Sequence, residues 1–338
     1  MRQHLTEHLK QLQQYYFNKP IKEDAVQLLG GGFSFATNYR IEDDGKTYLA
    51  RFMPPQQPLT SREKECLITD YVGKIGVGAK VYYQNPQQGI ILTEFIQGKT
   101  AKLDDMINTP NRDLIIAHVK KLHQTTQLTL PKATLMTAHI QTLLKRADSN
   151  ILQQLLQTLN LIAPLKTLFR CEENNLTAAL IHGDFNPNNI LIDKNRVYFI
   201  DWTDAGIGDS FADISWHALC FPLSLHDTLL QYYFDNIDTL MKQKLLCYYC
   251  LRLFVRAAWG VDQAKMLSKN SEHLLIDIIT QKNLPDPYSL MRDLSSKKIT
   301  LDTPNNLLFV SATMLHFLSQ FTKTDQFNSA IEGLSHHI

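Results

Sequence analysis

Apolar positions in the first hundred residues fall into short runs of two-residue alternation, and beyond Gly98 they recur every three or four positions. The first rhythm suits half-buried strands and the second suits amphipathic helices. Leu5, Leu9, Leu12 and Tyr16 predict an opening helix. "AVQLLGGGFSFATNYRIEDDGKTYLARFM" then reads as strand, glycine turn, strand, tight turn and strand, with Asp44-Gly45 as the hairpin signal. Pro54, Pro55 and Pro58 break the sheet pattern. "SREKECLITDYVGKIG" predicts a helix that starts near Ser61 and stops near Gly73, and "AKVYYQNPQQGIILTEFIQG" predicts two strands around a turn. Past Gly98, "RDLIIAHVKKLHQTT", "MTAHIQTLLKRADSNILQQLLQTLNLIAPLKTLFR" and most of 210–338 carry helical spacing. Two short β runs, in "AALIHGDFNPNNILI" and "RVYFIDWT", interrupt it. The pattern predicts an α+β chain in two parts, a β-rich 1–97 and a mainly helical 98–338, with a short hinge near Gly98 and no internal repeat.

Composition narrows the classes. The 338 residues, 44% hydrophobic and 20% charged, can build one large core or two lobes. A formal net charge of +1 offers no basic excess for nucleic acid. Five cysteines in so long a chain do not make a disulfide framework and fit a reduced, intracellular protein. No run of about 18 apolar residues exists to span a membrane, and the N-terminus lacks the apolar core of a secretory leader. A cytoplasmic protein is expected.

The sharpest chemistry lies in "LIHGDFNPNNILI" and the run that follows it. Asp184 and Asn189 share one loop, and Asp201 ends the strand "VYFI". "NILI" and "VYFI", joined by "DKNR", predict a hairpin that brings Asn189 beside Asp201. A carboxylate and an amide oxygen are hard ligands that suit Mg²⁺, which takes few protein groups and fills its shell from substrate phosphates and water. Asp184, just upstream, can accept or orient the proton of an attacking hydroxyl. Base, then Asn and Asp on a metal, is the set of parts used in kinase phosphoryl transfer.

"HGDFNPNNIL" followed by "FIDW" resembles the catalytic and metal loops of the aminoglycoside phosphotransferase and choline kinase superfamily. The resemblance runs from about Gly30 to Trp216 and implies a two-lobed, protein-kinase-like α+β fold, with ATP and Mg²⁺ as cofactors. It implies Asp184 as the catalytic base and Asn189 and Asp201 as metal ligands. "GGGFSFATNYRI" is similar to the glycine loop of choline and ethanolamine kinases, so Gly31 and Gly32 would approach the ATP phosphates. Arg51 in "YLARFM" stands where most kinases carry a phosphate-holding Lys and choline kinases often carry Arg. Glu63 in "SREKE" would pair with it, with Glu65 as a rival. "ILTEFIQG" resembles the hinge, where backbone groups from Glu94 to Ile96 would meet adenine. Asp213 in "GIGDSFADISW" would support the catalytic loop, and His123 would be structural.

The implied partner is a small-molecule alcohol. Trp202, Trp216, Tyr248, Tyr249 and Trp259 offer faces for a cation, so a choline-type amino alcohol is the favoured acceptor, with aminoglycoside, thiamine or sugar as alternatives. Thr203 stands where choline kinases usually carry Glu. A protein kinase is disfavoured, because about a dozen residues separate Asp201 from Asp213 and no Ala-Pro-Glu follows. The joint presence of Asp184, Asn189 and Asp201 argues against an inactive nucleotide-binding protein. "CYYC", Cys247 to Cys250, has no second pair and reads as core packing. His336, His337, Lys297 and Lys298 read as solvated.

Overall fold

The computed structural model describes residues 9–30, 36–125, 129–147, 150–174, 177–268, 273–280 and 283–335. The chain forms two compact units. The first draws on Met1–Thr100 and Asn189–Ala205, the second on Ala101–Asn188 and Gly206–Ile338.

In chain order, the first unit opens with β1 (Val26–Leu29), β2 (Thr37–Asp43), β3 (Lys46–Phe52), α1 (Leu59–Lys74), β4 (Val81–Asn85), β5 (Ile90–Glu94) and the short β6 (Lys99–Thr100). The second unit follows with α2 (Leu103–Ile107), α3 (Asn111–His123), α4 (Met136–Ala147), α5 (Asn150–Thr158), α6 (Ile162–Asn174) and β7 (Ala179–Ile181). The hairpin of β8 (Ile190–Asp193) and β9 (Arg196–Phe199) belongs to the first unit. β10 (Gly206–Gly208), α7 (Ser210–Ala218), α8 (His226–Tyr233), α9 (Thr239–Leu267), α10 (His273–Ile279), α11 (Pro287–Ser295), α12 (Pro304–Phe321) and α13 (Asp325–Ser335) complete the second.

Five antiparallel strands of the first unit lie in the order β1-β2-β3-β5-β4, and β6-β8-β9 make a separate small sheet. Asp44 and Gly45 close the β2–β3 hairpin with φ of 47° and 71°, as the Asp-Gly pair predicts. Along β3 the alternation decides what faces what. Tyr48, Ala50 and Phe52 are buried in one cluster with Tyr39, Ile41, Ile90 and Leu92. Leu9 and Leu12, in the helical residues 9–12, pack into the same cluster, while Leu5 lies outside the described residues. Arg51 alternates to the other face of β3, where Glu65 of α1 meets it.

The second unit is built around α9. Its 29 residues hold the most apolar stretch of the sequence and are buried on nearly every side, packed against α4, α7 and α12. Cys247 and Cys250 are buried there, and all five cysteines are free, so the C-x-x-C pair is core packing. Among the described residues no helix is long and apolar enough to cross a membrane.

β7 and β10 pair antiparallel, with Gly206 opposite Ile181. The segment Pro131–Ala133 lies against β10: the Ile207 N–H donates to the Pro131 carbonyl at 2.8 Å and the Ala133 N–H donates to the Ile207 carbonyl at 2.9 Å. Gly206 is required by that approach. A methyl group there would meet the backbone of Pro131, Lys132 and Ala133, 2.6 Å from the Lys132 carbonyl carbon. Gly206→Ala is expected to lower unfolding free energy by about 1–3 kcal/mol, the usual cost of overpacking. Urea denaturation measures it, and an unchanged midpoint would show that the 131–133 segment yields freely.

Candidate functional site

Across the β8–β9 hairpin, Ile190 pairs with Phe199 and Asp193 with Arg196. Asn189 closes the 3-10 turn Pro187–Asn189 that leads into the hairpin, and Asp201 follows the hairpin's last strand. The Ile200 N–H donates to the Asn189 carbonyl at 2.9 Å, so the hairpin brings Asn189 next to the residue preceding Asp201. Asp201 has φ of 64°. Non-glycine residues visit that left-handed region rarely, and Asp more readily than most. The turn carries the chain off β9 and leaves the Asp201 side chain 31% exposed.

Arg51 is clamped at this carboxylate. Its Nε donates to Glu65 Oε1 at 2.7 Å and its Nη2 to Asp201 Oδ1 at 3.0 Å. Burial works against the guanidinium charge, but the Glu65 and Asp201 carboxylates outweigh it and raise the Arg51 pKa above its ordinary value. Glu65 is only 1% exposed and takes a second donor, Gln57 Nε2, at 3.2 Å. Thr203 Oγ1 accepts from Arg51 Nη2 at 3.0 Å and donates to Asp201 Oδ1 at 2.8 Å, with Glu65 Oε2 at 3.3 Å.

The helix carboxylate expected at Glu63 is Glu65 instead. Glu65, Ile68, Thr69 and Val72 are buried on one face of α1, at the spacing i, i+3, i+4, i+7, and Glu63 is exposed. Two residues along a helix turn a side chain by about 200°, which carries Glu63 to the opposite face.

Glu94 ends β5 and Ile96 follows in the irregular run before β6. The Glu94 N–H donates to the Lys80 carbonyl at 2.8 Å and the Phe95 N–H to the Thr47 carbonyl at 3.2 Å. Gly31 and Gly32 lie outside the described residues.

Asp184 lies in the second unit, in the loop after β7. Asp213, fully buried on α7, holds that loop by its backbone: Oδ2 accepts from the His182 N–H at 2.8 Å and Oδ1 from the Gly183 N–H at 2.9 Å. His123 Nε2, at the end of α3, donates to the same carboxylate at 2.9 Å. Burial alone would raise the Asp213 pKa, but His123 and His182, the latter through its ring and its backbone N–H, hold it below its ordinary value. Asn186 Nδ2 donates to Asp184 Oδ2 at 2.9 Å. Asn186, which holds Asp184, was not singled out by the motif reading, and Thr203 was noted there only as a departure, with no contact to Arg51 or Asp201 expected. The asparagine-rich loop was a signal for the first, and the departure at Thr203 was a signal for the second.

Asn189 and Asp201 carry hard oxygen donors of the kind that would suit a divalent cation such as Mg²⁺. Among the described residues no group of three or more His, Cys, Asp or Glu side chains is placed to hold a metal. A metal at this hairpin would therefore rest on the Asn–Asp pair and on oxygens brought by its ligand.

Residues 25–241 match the phosphotransferase enzyme family. A probable aminoglycoside 3'-phosphotransferase of Lactococcus lactis is 26% identical over 175 residues, which span 46% of this chain and 63% of that protein. Among solved structures, a choline/ethanolamine kinase family protein from Mesorhizobium loti superposes with a TM-score of 0.66 at 15% identity, covering 98% of this chain and 99% of that one. The choline kinase LicA from Streptococcus pneumoniae gives a TM-score of 0.60 at 16% identity over 87% of this chain and 98% of that one. At such identity the structural likeness shows the fold, which is the protein-kinase-like α+β fold. With the family match covering well over half its length, the chain belongs to the phosphotransferase enzyme family.

The clamp predicts its own energetics. Arg51→Ala leaves Glu65 charged and buried without its cation, and a loss of about 3–5 kcal/mol in unfolding free energy is expected. Arg51→Lys is expected to lose less, because Lys keeps the charge but not the planar fork that reaches Glu65 and Asp201 together. Guanidinium unfolding of the three proteins measures both. Equal stability of Arg51→Ala and the parent would show that the clamp contributes nothing.

Proposed function

We propose that this member of the family transfers the γ-phosphoryl group of ATP to the hydroxyl of a small-molecule acceptor. The observation that carries the reading is the hairpin that brings Asn189 to Asp201, with Arg51 clamped between Asp201 and Glu65.

In this reading the first unit binds the nucleotide. Arg51, steadied by Glu65 and Thr203, holds the α- and β-phosphates. With the Glu94 and Phe95 N–H groups already spent within the unit, the Glu94 carbonyl and the Ile96 N–H are the groups assigned to the adenine edge. Asn189 and Asp201 would hold Mg²⁺, which when bound would neutralise phosphate charge. Asp184, oriented by Asn186, receives the proton of the acceptor hydroxyl as its oxygen bonds to the γ-phosphorus. The bond to the β,γ-bridging oxygen breaks, and ADP leaves with the electron pair.

The amino-alcohol acceptor loses its aromatic argument. Trp202, Trp216, Tyr248 and Tyr249 are buried. Trp216 already carries the guanidinium groups of Arg252 and Arg256, and Trp259 carries Arg256. A choline-type acceptor keeps only the family resemblance in its favour.

Two substitutions test the assignment. Asp201→Ala is expected to cut Mg²⁺-dependent turnover by about 10²-fold or more, through loss of charge stabilisation at the phosphates. Wild-type turnover in a folded Asp201→Ala protein would remove the metal assignment. Asp184→Asn is expected to lower kcat by about 10²-fold or more while the Kd for ATP stays within about twofold, since a positioned base acts in the transition state. Lost ATP affinity with an intact kcat would make Asp184 a nucleotide ligand instead.

A further inference from the structure

Arg256, on α9 of the second unit, lies against the helix that holds the loop of the proposed base. The connection runs through α7. Asp213 of that helix fixes the backbone of His182 and Gly183, immediately before Asp184. Trp216 comes three residues after Asp213, about one helical turn further along. The Arg256 guanidinium, on α9, lies 5.4 Å from the Trp216 ring centroid and 4.5 Å from that of Trp259. Two indoles thus lie within cation–π range of one guanidinium.

Arg252, one turn earlier on α9, differs in its use. It lies 4.9 Å from the Trp216 ring centroid, and it directs Nη2 to the Ala212 carbonyl at 2.8 Å and Nε to Ser215 Oγ at 3.2 Å. Those bonds tie α9 to α7. Arg256 Nε is enclosed without a hydrogen-bond partner among the described residues, while the side chain as a whole stays half-buried. Burial lowers the Arg256 pKa to about 10, and the Asp184 carboxylate is the charge that opposes the shift. At neutral pH Arg256 is therefore a cation within electrostatic reach of Asp184.

A guanidinium presents five N–H donors in a fixed fork and has no acceptor. One carboxylate takes at most two of them in a fork-to-fork pair. A cationic acceptor molecule brought to Asp184 would meet like charge at Arg256 in a partly dehydrated setting, where repulsion is poorly screened. An anionic acceptor would instead complete the donor set.

We propose that Arg256 is the acceptor-recognition residue of this chain, and that the acceptor carries an anionic oxygen group, a carboxylate or a phosphate, besides the hydroxyl that is phosphorylated. This rests on the phosphotransferase reading, with Asp184 as the group that takes the hydroxyl proton. The anionic group itself is not consumed. It pairs with Arg256 and sets the hydroxyl against Asp184.

The test begins with calorimetric binding of Mg²⁺·ATP to the full chain. Absence of binding overturns the phosphotransferase reading and this inference with it. ADP release is then measured with glycerate, 4-hydroxybutyrate and glycerol 3-phosphate, and in parallel with choline, ethanolamine, kanamycin and glucose. Binding of each compound is read from the thermal unfolding midpoint in the presence of Mg²⁺ and a non-hydrolysable ATP analogue. Turnover or stabilisation by the anionic alcohols above all others is expected. Intact ATP binding with turnover confined to cationic or neutral acceptors overturns the inference and leaves the phosphotransferase reading standing, and so does a failure of every anionic compound to bind or react.

Arg256→Gln is expected to raise KM for the best anionic acceptor at least tenfold while KM for ATP stays within twofold, and Arg256→Lys should recover part of the loss. An unchanged acceptor KM in a folded Arg256→Gln protein overturns the assignment. Should that variant fail to fold, the wild-type panel still decides between an anionic acceptor and the others.

Discussion

Glu65 is the constraint on which the first unit turns. A carboxylate that is 1% exposed carries a heavy desolvation cost, and only a well-placed cation offsets it. Arg51 is that cation, and because its fork reaches two ways it also seizes Asp201. The need to neutralise one buried acid on α1 thus draws strand β3 and the end of the β8–β9 hairpin to a common point. The charges do not balance there, since one guanidinium faces two carboxylates. Asp201 is the more exposed of the two, and it lies on the hairpin that also holds Asn189, where the proposed divalent cation would add positive charge.

The second unit uses carboxylates in a similar way but balances them within the protein. Asp209 caps α7, accepting from the Phe211 N–H at 3.0 Å, and also takes the Thr177 N–H at 2.8 Å and Lys244 Nζ at 2.6 Å. Asp213, one turn on, takes the backbone after β7. A single helix therefore pins the chain on both sides of β7, and the loop carrying Asp184 leaves from an anchored point. Rigid support of this kind would keep the proposed proton acceptor in place without contributing chemistry of its own.

Much of this was legible in the chain. The two-residue alternation of "YLARFM" places Arg51 on the face away from Tyr48, Ala50 and Phe52, and the "NILI" and "VYFI" runs give the hairpin that joins Asn189 to Asp201. The choice of Glu63 over Glu65 followed a motif when helical spacing carried the better information: Glu65 shares the i, i+3, i+4, i+7 face with Ile68, Thr69 and Val72. The aromatic residues misled for a different reason. Whether Trp216 presents a face to a ligand depends on Arg252 and Arg256, which lie on a helix some forty residues downstream, and no local pattern reports that packing.

The electrostatics around Arg256 also bear on rate. The Asp184 carboxylate opposes the loss of the Arg256 positive charge that burial favours. In the proposed reaction Asp184 would take up the hydroxyl proton, that opposing charge would disappear and the guanidinium would be left unbalanced. An anionic group held by Arg256 would then be bound more strongly as the proton moves than in the ground state, and interactions that strengthen toward the transition state are the ones that accelerate a reaction. A trimethylammonium group in the same place would experience the reverse, with repulsion growing as the proton arrived. In the proposed roles, the pairing of Arg256 with Asp184 would discriminate between acceptors twice, once in binding and again in the chemical step.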